Sequence, residues 1–252
     1  MRFHPVSSIV FSVVMLAFSA VSAVSQAAVV ISGTRVVYDA EKSEKTVKLI
    51  NKGKLPSLVQ AWLDVGASQA ERSALEVPFL VSPPMARIDP GKSQTLRIIY
   101  SGESLPQDRE SVFWLNVLDV PPKTDDSTGK NVLQLSFRTR VKLFFRPAGL
   151  AGAASEAPAQ LTWQLASAGG RAVLRVSNPT PYYVSFSSVE LAAAGGQIQT
   201  VQTPGMVAPF ETLDMALPQP AAKSAGAQVR YAFINDYGAT RSGEAALQAS
   251  AR

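Results

Sequence analysis

The sequence predicts an all-β protein, and three observations lead to that class. Short runs in which apolar and polar residues alternate recur at roughly the 8–12-residue spacing of a β-sandwich. Clusters of turn residues, such as those at 89–92 and 121–126, separate these runs. No window of about 15 residues carries an apolar stripe with the 3.6-residue period of an amphipathic helix. The chain of 252 residues is long enough for one large or two ordinary domains.

Residues 1–27 are predicted to be a signal peptide that is removed on export. Arg2 gives the start of the chain a positive charge, residues 9–20 form an uncharged run, and the small residues up to Ala27 provide a cleavage site. Cleavage after Ala23 is the alternative. The run is shorter than the roughly 20 apolar residues that span a membrane. We therefore expect a mature chain that begins at Ala28, lies in the periplasm and is not inserted into the membrane.

The first part of the mature chain contains six candidate strands. They lie at 29–37, 46–51, 57–63, 93–101, 110–120 and 132–146. In the fourth of these, Leu96, Ile98 and Tyr100 alternate with Arg97 and Ser101, a pattern typical of a strand with one buried face.

A change in composition after Pro147 predicts a second domain. Residues 148–159 are small and almost uncharged, as is typical of a linker. Candidate strands then resume at 161–165, 172–177, 183–191, 229–235 and 240–247. We expect domains at 28–147 and 158–252, joined by a linker at 148–157.

The positive charge is concentrated in the predicted first domain. The chain has 24 basic and 19 acidic residues, a net charge of +5. Residues 28–147 hold 17 basic and 13 acidic residues (17 − 13 = +4), residues 148–252 hold six of each, and Arg2 supplies the remaining charge. This asymmetry favours an anionic partner for the first domain, and ordinary surface variation is the alternative.

The composition argues against an enzyme, a metal site or a cofactor site. The chain has no cysteine, and its one histidine, His4, lies in the predicted leader. It therefore lacks the commonest general base and the commonest zinc ligands. Residues 127–130 match S-x-x-K, and 90–93 match the end of a phosphate-binding loop, but we interpret both as turns because no helix pattern follows. A nucleic-acid partner is not expected, because the basic residues are scattered along strands.

The most unusual segment is 131–147, which reads NVLQLSFRTRVKLFFRP. Leu133, Leu135 and Phe137 alternate with polar residues, and the segment contains no acidic residue. At about 3.3 Å per residue, such a strand could extend for roughly 50 Å. At a sheet edge it would expose unpaired amides beside large apolar side chains, so it would need a partner or would self-associate. The alternative is that the three apolar side chains face the domain's own core.

Four stretches of the sequence match the signature of one protein family. Residues 105–122 read LPQDRESVFWLNVLDVPP, and 33–39 read GTRVVYD. KLFFRP follows at 142–147, and NPTPYY at 178–183 is accompanied by INDYG at 234–238. These stretches resemble the periplasmic pilus-assembly chaperones of the chaperone–usher pathway. The resemblance implies two immunoglobulin-like β-sandwich domains set at an angle around a cleft.

The resemblance also implies a function. Such a chaperone donates the 131–147 strand to the incomplete fold of a pilin subunit, prevents its aggregation and delivers it to an outer-membrane usher. By this resemblance, Leu133, Leu135 and Phe137 fill the groove of the subunit, and Arg35 and Lys142 anchor its C-terminal carboxylate. The sequence places no acidic residue closer to Arg35 than Asp39. Because Lys142 differs in parity from the apolar trio, a twist or a bulge is expected to bring it to the shared ligand.

Two further groups of residues match positions of known role in the family. Glu110, Arg146 and Asp236 match an ion cluster at the domain junction. Pro56, Leu58 and Gln60 match a contact with the usher, although turn and core roles explain them equally well. The loop at 123–130 is short and free of cysteine, and a C-terminal disulfide found in some members is absent.

A secreted immunoglobulin-like structural module, such as a pilin or an adhesin, is the alternative function. A pilin should carry a free N-terminal donor segment and one incomplete domain. The two full sets of candidate strands favour the chaperone.

Overall fold

The computed structural model describes residues 28–66, 77–123, 134–192, 198–219 and 226–248. These residues form seventeen strands and one short 3-10 helix, Ala157–Gln160. The all-β prediction is confirmed. The predicted signal peptide, Leu133 and the turn at 127–130 lie outside the described residues.

The first set of strands forms a two-sheet sandwich. The strands are β1 Val29–Ile31, β2 Arg35–Asp39, β3 Lys45–Asn51, β4 Ser57–Asp64, β5 Phe79–Ser82, β6 Met85–Ile88, β7 Ser93–Tyr100, β8 Ser111–Val120 and β9 Phe137–Arg146. One sheet has the order β1-β3-β7-β5 and the other the order β2-β9-β8-β4-β6. Inward-facing side chains such as Leu49, Ile98, Leu115 and Leu143 are fully buried between them. This core is the largest source of stability for the domain.

The second set of strands forms another sandwich with its own core. The strands are β10 Thr162–Ala168, β11 Arg171–Ser177, β12 Val184–Ala192, β13 Ile198–Thr200, β14 Met206–Val207, β15 Thr212–Ala216, β16 Gln228–Ile234 and β17 Thr240–Ala246. The sheets have the orders β10-β11-β15 and β13-β12-β16-β17, and β14 pairs with β12. Trp163 packs against Phe186 and Tyr231 at the centre of the core. Leu150 and Ala154, from the segment predicted to be a linker, also pack against this core.

The run at 29–37, predicted to be one strand, is two strands in different sheets. Val29 pairs with Asn51 in the first sheet, whereas Arg35 pairs with Lys142 in the second. The chain crosses between the sheets at 32–34, where Gly33 has a φ of 105°, a conformation that favours glycine. This crossover places Arg35 beside β9.

The short strands β5, β6, β13, β14 and β15 were not predicted, because two to five residues are too few to show a clear alternation. The predicted strand at 132–146 is observed only from Phe137 onward, and residues 134–136 are not part of it.

Candidate functional site

Arg35 and Lys142 lie directly opposite each other on neighbouring strands. β2 and β9 run parallel, and the register pairs Arg35 with Lys142 and Asp39 with Arg146. Residues paired in this way present their side chains on the same face of the sheet. The register of β9 is regular from Phe137 to Arg146. The expected bulge is therefore absent there, and pairing with β2 is what brings the two cations together.

Both cations are partly buried and incompletely neutralised. Burial lowers the pKa of Lys142, and the nearby charge of Arg35 lowers it further. Burial also lowers the pKa of Arg35, although Asp236 and Glu110 oppose that effect. The acidic residues that act on Arg35 are thus Asp236 and Glu110, which lie far from it in the sequence.

The polar contacts of Arg35 and Lys142 leave hydrogen-bond donors available for a ligand. Lys142 Nζ lies 3.3 Å from Ser185 Oγ, which belongs to the second domain. The buried Nε of Arg35 has no hydrogen-bond partner among the described residues. A pair of partly desolvated cations with an unused donor is suited to binding a carboxylate.

Aromatic rings orient these basic side chains. The guanidinium carbon of Arg35 lies 5.4 Å from the centre of the Phe144 ring. Lys142 Nζ lies 5.6 Å from the centre of the Trp114 ring, and Arg140 stacks on the same ring. The sequence did not predict that Ser185, Phe144 and Trp114 belong to the site. The alternation along β8 and β9 could have predicted the two aromatic residues, because the even-numbered side chains of these strands lie on the same face of the sheet as Lys142.

The first half of β9 has a free edge. β8 pairs with β9 from Phe137 to Phe145, whereas β2 covers only the residues from Lys142 to Arg146. Among the described strands, none pairs with the other edge at 137–141. Leu135 and Phe137 are 53% and 38% exposed, and neither belongs to the core of the first sandwich. They are apolar side chains at the start of an unpaired edge.

Glu110, Arg146 and Asp236 form one ion cluster that joins the two sandwiches. Arg146 donates from Nε to Glu110 Oε1 at 2.7 Å and from Nη1 to Asp236 Oδ2 at 2.8 Å. Glu110 Oε2 also accepts the backbone N–H of Tyr183 at 2.8 Å. Burial raises the pKa of Glu110, while Arg146 and the Tyr183 N–H act in the opposite direction. Residues from both sandwiches therefore share one partly buried network.

Pro56, Leu58 and Gln60 lie at the far end of the same sheet from the ion cluster. Leu58 and Gln60 are exposed on β4, and Pro56 precedes that strand. Met85, which pairs with Gln60 on β6, is 55% exposed and extends this surface. The outward orientation of Leu58 and Gln60 argues against a core role for them.

Each of the two sandwiches matches the model of a known protein family. Residues 28–151 match the family described as pili and flagellar-assembly chaperone, PapD N-terminal domain. Residues 156–245 match the family described as pili assembly chaperone PapD, C-terminal domain. The chain belongs to the pilus-assembly chaperone family.

Two related proteins are similar in sequence to most of this chain. The probable fimbrial chaperone YadV of Escherichia coli K12 is 48% identical over 90% of this chain and 93% of its own length. The chaperone protein FimB/FhaD of Bordetella pertussis is 46% identical over 88% of this chain and 89% of its own.

Solved structures share the two-sandwich architecture. The crystal structure of the YadV chaperone is 46% identical, with a TM-score of 0.74 over 86% of this chain and 98% of that chain. A complex of the Salmonella enterica SafA pilin with the SafB chaperone matches with 28% identity and a TM-score of 0.72, over 89% of this chain and 99% of that chain. The fold expected for a pilus-assembly chaperone is thus confirmed.

The residues that the structure describes contain neither a candidate membrane span nor a candidate metal site. No helix within them is long and apolar enough to cross a membrane. No group of three or more His, Cys, Asp or Glu residues in the same part of the chain is arranged to hold a metal ion.

Proposed function

We propose that this chaperone works in the periplasm, where it binds pilin subunits by donating the strand at 131–147 to their incomplete fold. The observation that carries this proposal is the free edge of β9 at 137–141, which lies beside the exposed Leu135 and Phe137. An added strand gains main-chain hydrogen bonds from such an edge, and alternate side chains supply specificity. In the absence of a subunit, the same edge offers a pairing site for a second copy of this chain. Binding alone performs this role, and we assign no catalytic step and no cofactor to it.

The end of the free edge also explains where the subunit should stop. β2 occupies the edge of β9 from Lys142 onward, so a strand added at 137–141 would meet β2 at Arg35. A subunit strand that runs parallel to β9 and ends there would place its C-terminal carboxylate between Arg35 and Lys142. The negative charge of the carboxylate would then offset the repulsion between the two positive charges.

The carboxylate anchor can be tested with peptides that match the C-terminal strand of a pilin encoded beside this chaperone. We expect Arg35→Ala or Lys142→Ala to weaken binding of the free-acid peptide at least about tenfold, because a hydrogen bond to a charged group contributes roughly 1.5–3 kcal/mol. Amidating the peptide should weaken its binding to the wild type by a similar factor. Isothermal titration calorimetry measures both effects, and the melting temperatures of the variants should change little.

Lys48→Ala is the matched control for loss of charge, because Lys48 is exposed on β3 in the other sheet. It should bind both peptides as the wild type does. Equal binding of free-acid and amidated peptides by the wild type would contradict the carboxylate anchor.

We propose that the Glu110–Arg146–Asp236 cluster fixes the orientation of the two domains, at 28–147 and 158–252. Removing one partner of a buried ion group usually costs about 3–5 kcal/mol, because the remaining charge loses its compensation. The cluster thus has a structural role rather than a catalytic one.

We further propose that Pro56, Leu58 and Gln60 contact the outer-membrane usher. Exposed apolar side chains grouped on one sheet face are typical of a protein interface. Leu58→Asp should leave peptide binding unchanged and reduce pilus assembly in cells. Normal assembly by this variant, counted by electron microscopy, would exclude Leu58 from the usher contact.

A further inference from the structure

A cavity of about 300 Å³ lies between the two sandwiches, beside the Arg35 end of the free edge. Arg35 and Arg146 line it from the first sandwich, and Ala154, Tyr183, Phe233 and Tyr237 contribute to its walls from the second. A volume of this size is at the lower end of the range for small-molecule sites and can take a large side chain.

Tyr237 is the most unusual residue in this wall, because it is 93% exposed. Asn235 Oδ1 accepts the backbone N–H groups of Tyr237 and Ala239 at 3.1 and 2.9 Å. Asp236 is held by Arg146, and Gly238 lies against Thr34 of the first sandwich. These contacts fix the backbone on either side of Tyr237, so that little backbone entropy is lost when its ring binds a partner.

Arg35 connects the cavity with the proposed anchor. It lines the cavity, and its buried Nε has no hydrogen-bond partner among the described residues. A carboxylate bound by Arg35 would therefore lie next to the cavity. The side chain of the residue that carries this carboxylate is the group best placed to enter it.

We propose that this cavity is a specificity pocket for the last side chain of the subunit, with a preference for a large apolar or aromatic residue. The proposal rests on the proposed function, because it requires the subunit to end at Arg35 and Lys142. Tyr237 and Phe233 supply the aromatic contacts for that side chain.

The test uses four peptides with the same pilin-derived strand, which end in either Phe or Gly and carry either a free acid or an amide. We expect the wild type to bind the free acid ending in Phe about tenfold more tightly than the one ending in Gly, as is typical of an apolar pocket. Tyr237→Ala should reduce that ratio to less than about threefold and leave the affinity for the Gly peptide unchanged. Ala154→Leu, which fills part of the cavity, should reduce the ratio in the same way.

Leu80→Ala is the control, because Leu80 is 63% exposed on β5 and does not line this cavity. Equal affinity of the wild type for the two free acids, or an undiminished ratio in Tyr237→Ala, would overturn the proposal. If the free acids bind equally but still more tightly than the amides, only the pocket is wrong. If acids and amides bind equally, the carboxylate anchor itself is wrong.

Discussion

Lys142 is the residue at which the proposed binding of a carboxylate and the cost of burying a charge are most directly opposed. In the free protein, burial and the neighbouring Arg35 lower its pKa, so that its charged form is less stable than it is in water. A carboxylate bound beside it would favour the charged form and raise the pKa again. By our proposal, the energy of carrying a half-buried cation would thus be recovered when a subunit binds.

This opposition predicts a pH dependence of subunit binding. If a bound carboxylate raises the pKa of Lys142 above its value in the free protein, the complex holds more protons at any pH between the two values. The affinity for a free-acid peptide should therefore be full below the lowered pKa and should fall as the pH rises through it. Titration calorimetry over a series of alkaline buffers measures this decline.

Lys142→Arg separates the titration of Lys142 from other effects of alkaline pH. Arginine stays protonated throughout this range, so the variant should lose the decline even if its affinity at neutral pH is lower. The amidated peptide should show little pH dependence with the wild type. A decline that is the same in Lys142→Arg would assign the effect to another group.

At the scale of the element, β9 combines a structural half with an exposed half. Val141, Leu143 and Phe145 are buried in the core. β8 pairs with all three, and β2 pairs with the other side of Leu143 and Phe145. Leu135 and Phe137 have the same parity as these core residues but lie beyond the part of the sandwich that could cover them. One alternating pattern therefore serves the chaperone's own core and, by our proposal, the core of its subunit.

We expect Leu135→Glu to abolish subunit capture and to leave the chaperone folded. Leu135 is 53% exposed, so a charge at this position stays in water in the free protein. In the groove of a subunit, that charge would be buried without a partner, which costs more than the about 2–5 kcal/mol lost on truncating a buried apolar side chain. The yield of coexpressed pilin in a periplasmic extract measures capture.

Leu80→Glu is the matched control, since Leu80 is an exposed leucine on an edge strand of the other sheet. It should support a normal yield of pilin. If Leu135→Glu instead unfolds the chaperone when it is expressed alone, Leu135 belongs to the chaperone's own core.

At the scale of the whole molecule, the loop at 235–239 connects the two sandwiches by two kinds of contact. Asp236 forms an ion pair with Arg146, and Gly238 packs against Thr34. Gly238 has a φ of 81°, which favours glycine, and a Cβ at this position would collide with Thr34 Oγ1. The position therefore requires glycine for its backbone conformation and for its approach to the other domain.

Gly238→Ala should destabilise the protein and weaken subunit capture, because the collision pushes the domains apart. Gly91→Ala is the matched control: Gly91 has a φ of 70°, but no atom lies within 4 Å of the position of its Cβ. Both variants should bear a strain of about 1–2 kcal/mol from the left-handed backbone conformation. Only Gly238→Ala should show the additional loss, measured by chemical denaturation and by peptide binding.

Thr34→Ala should partly rescue Gly238→Ala, because it removes the hydroxyl that the new methyl group meets. Asp236→Asn, which weakens the ion pair of the same loop, should also weaken peptide binding. Equal destabilisation by Gly238→Ala and Gly91→Ala would show that the contact with Thr34 does not set the domain arrangement.

The sequence by itself determined the all-β class and most of the long strands. Alternation in β3, β4, β7, β8 and β12 is a local property, because side chains on a strand point to opposite faces with a period of two. The resemblance to pilus-assembly chaperones added the pairs and clusters that the structure brings together, among them Arg35 with Lys142 and Arg146 with Asp236.

Only the tertiary structure decided how these residues meet. The crossover at Gly33 moves the chain between sheets and places Arg35 opposite Lys142, 107 positions later (142 − 35). It also decided that Asp236 and Glu110 act on Arg35, that Ser185 contacts Lys142, and that a cavity opens beside Tyr237. The physical reason is that periodicity reports which face of a strand is buried, whereas the choice of neighbouring strand depends on contacts between residues that are far apart in the sequence.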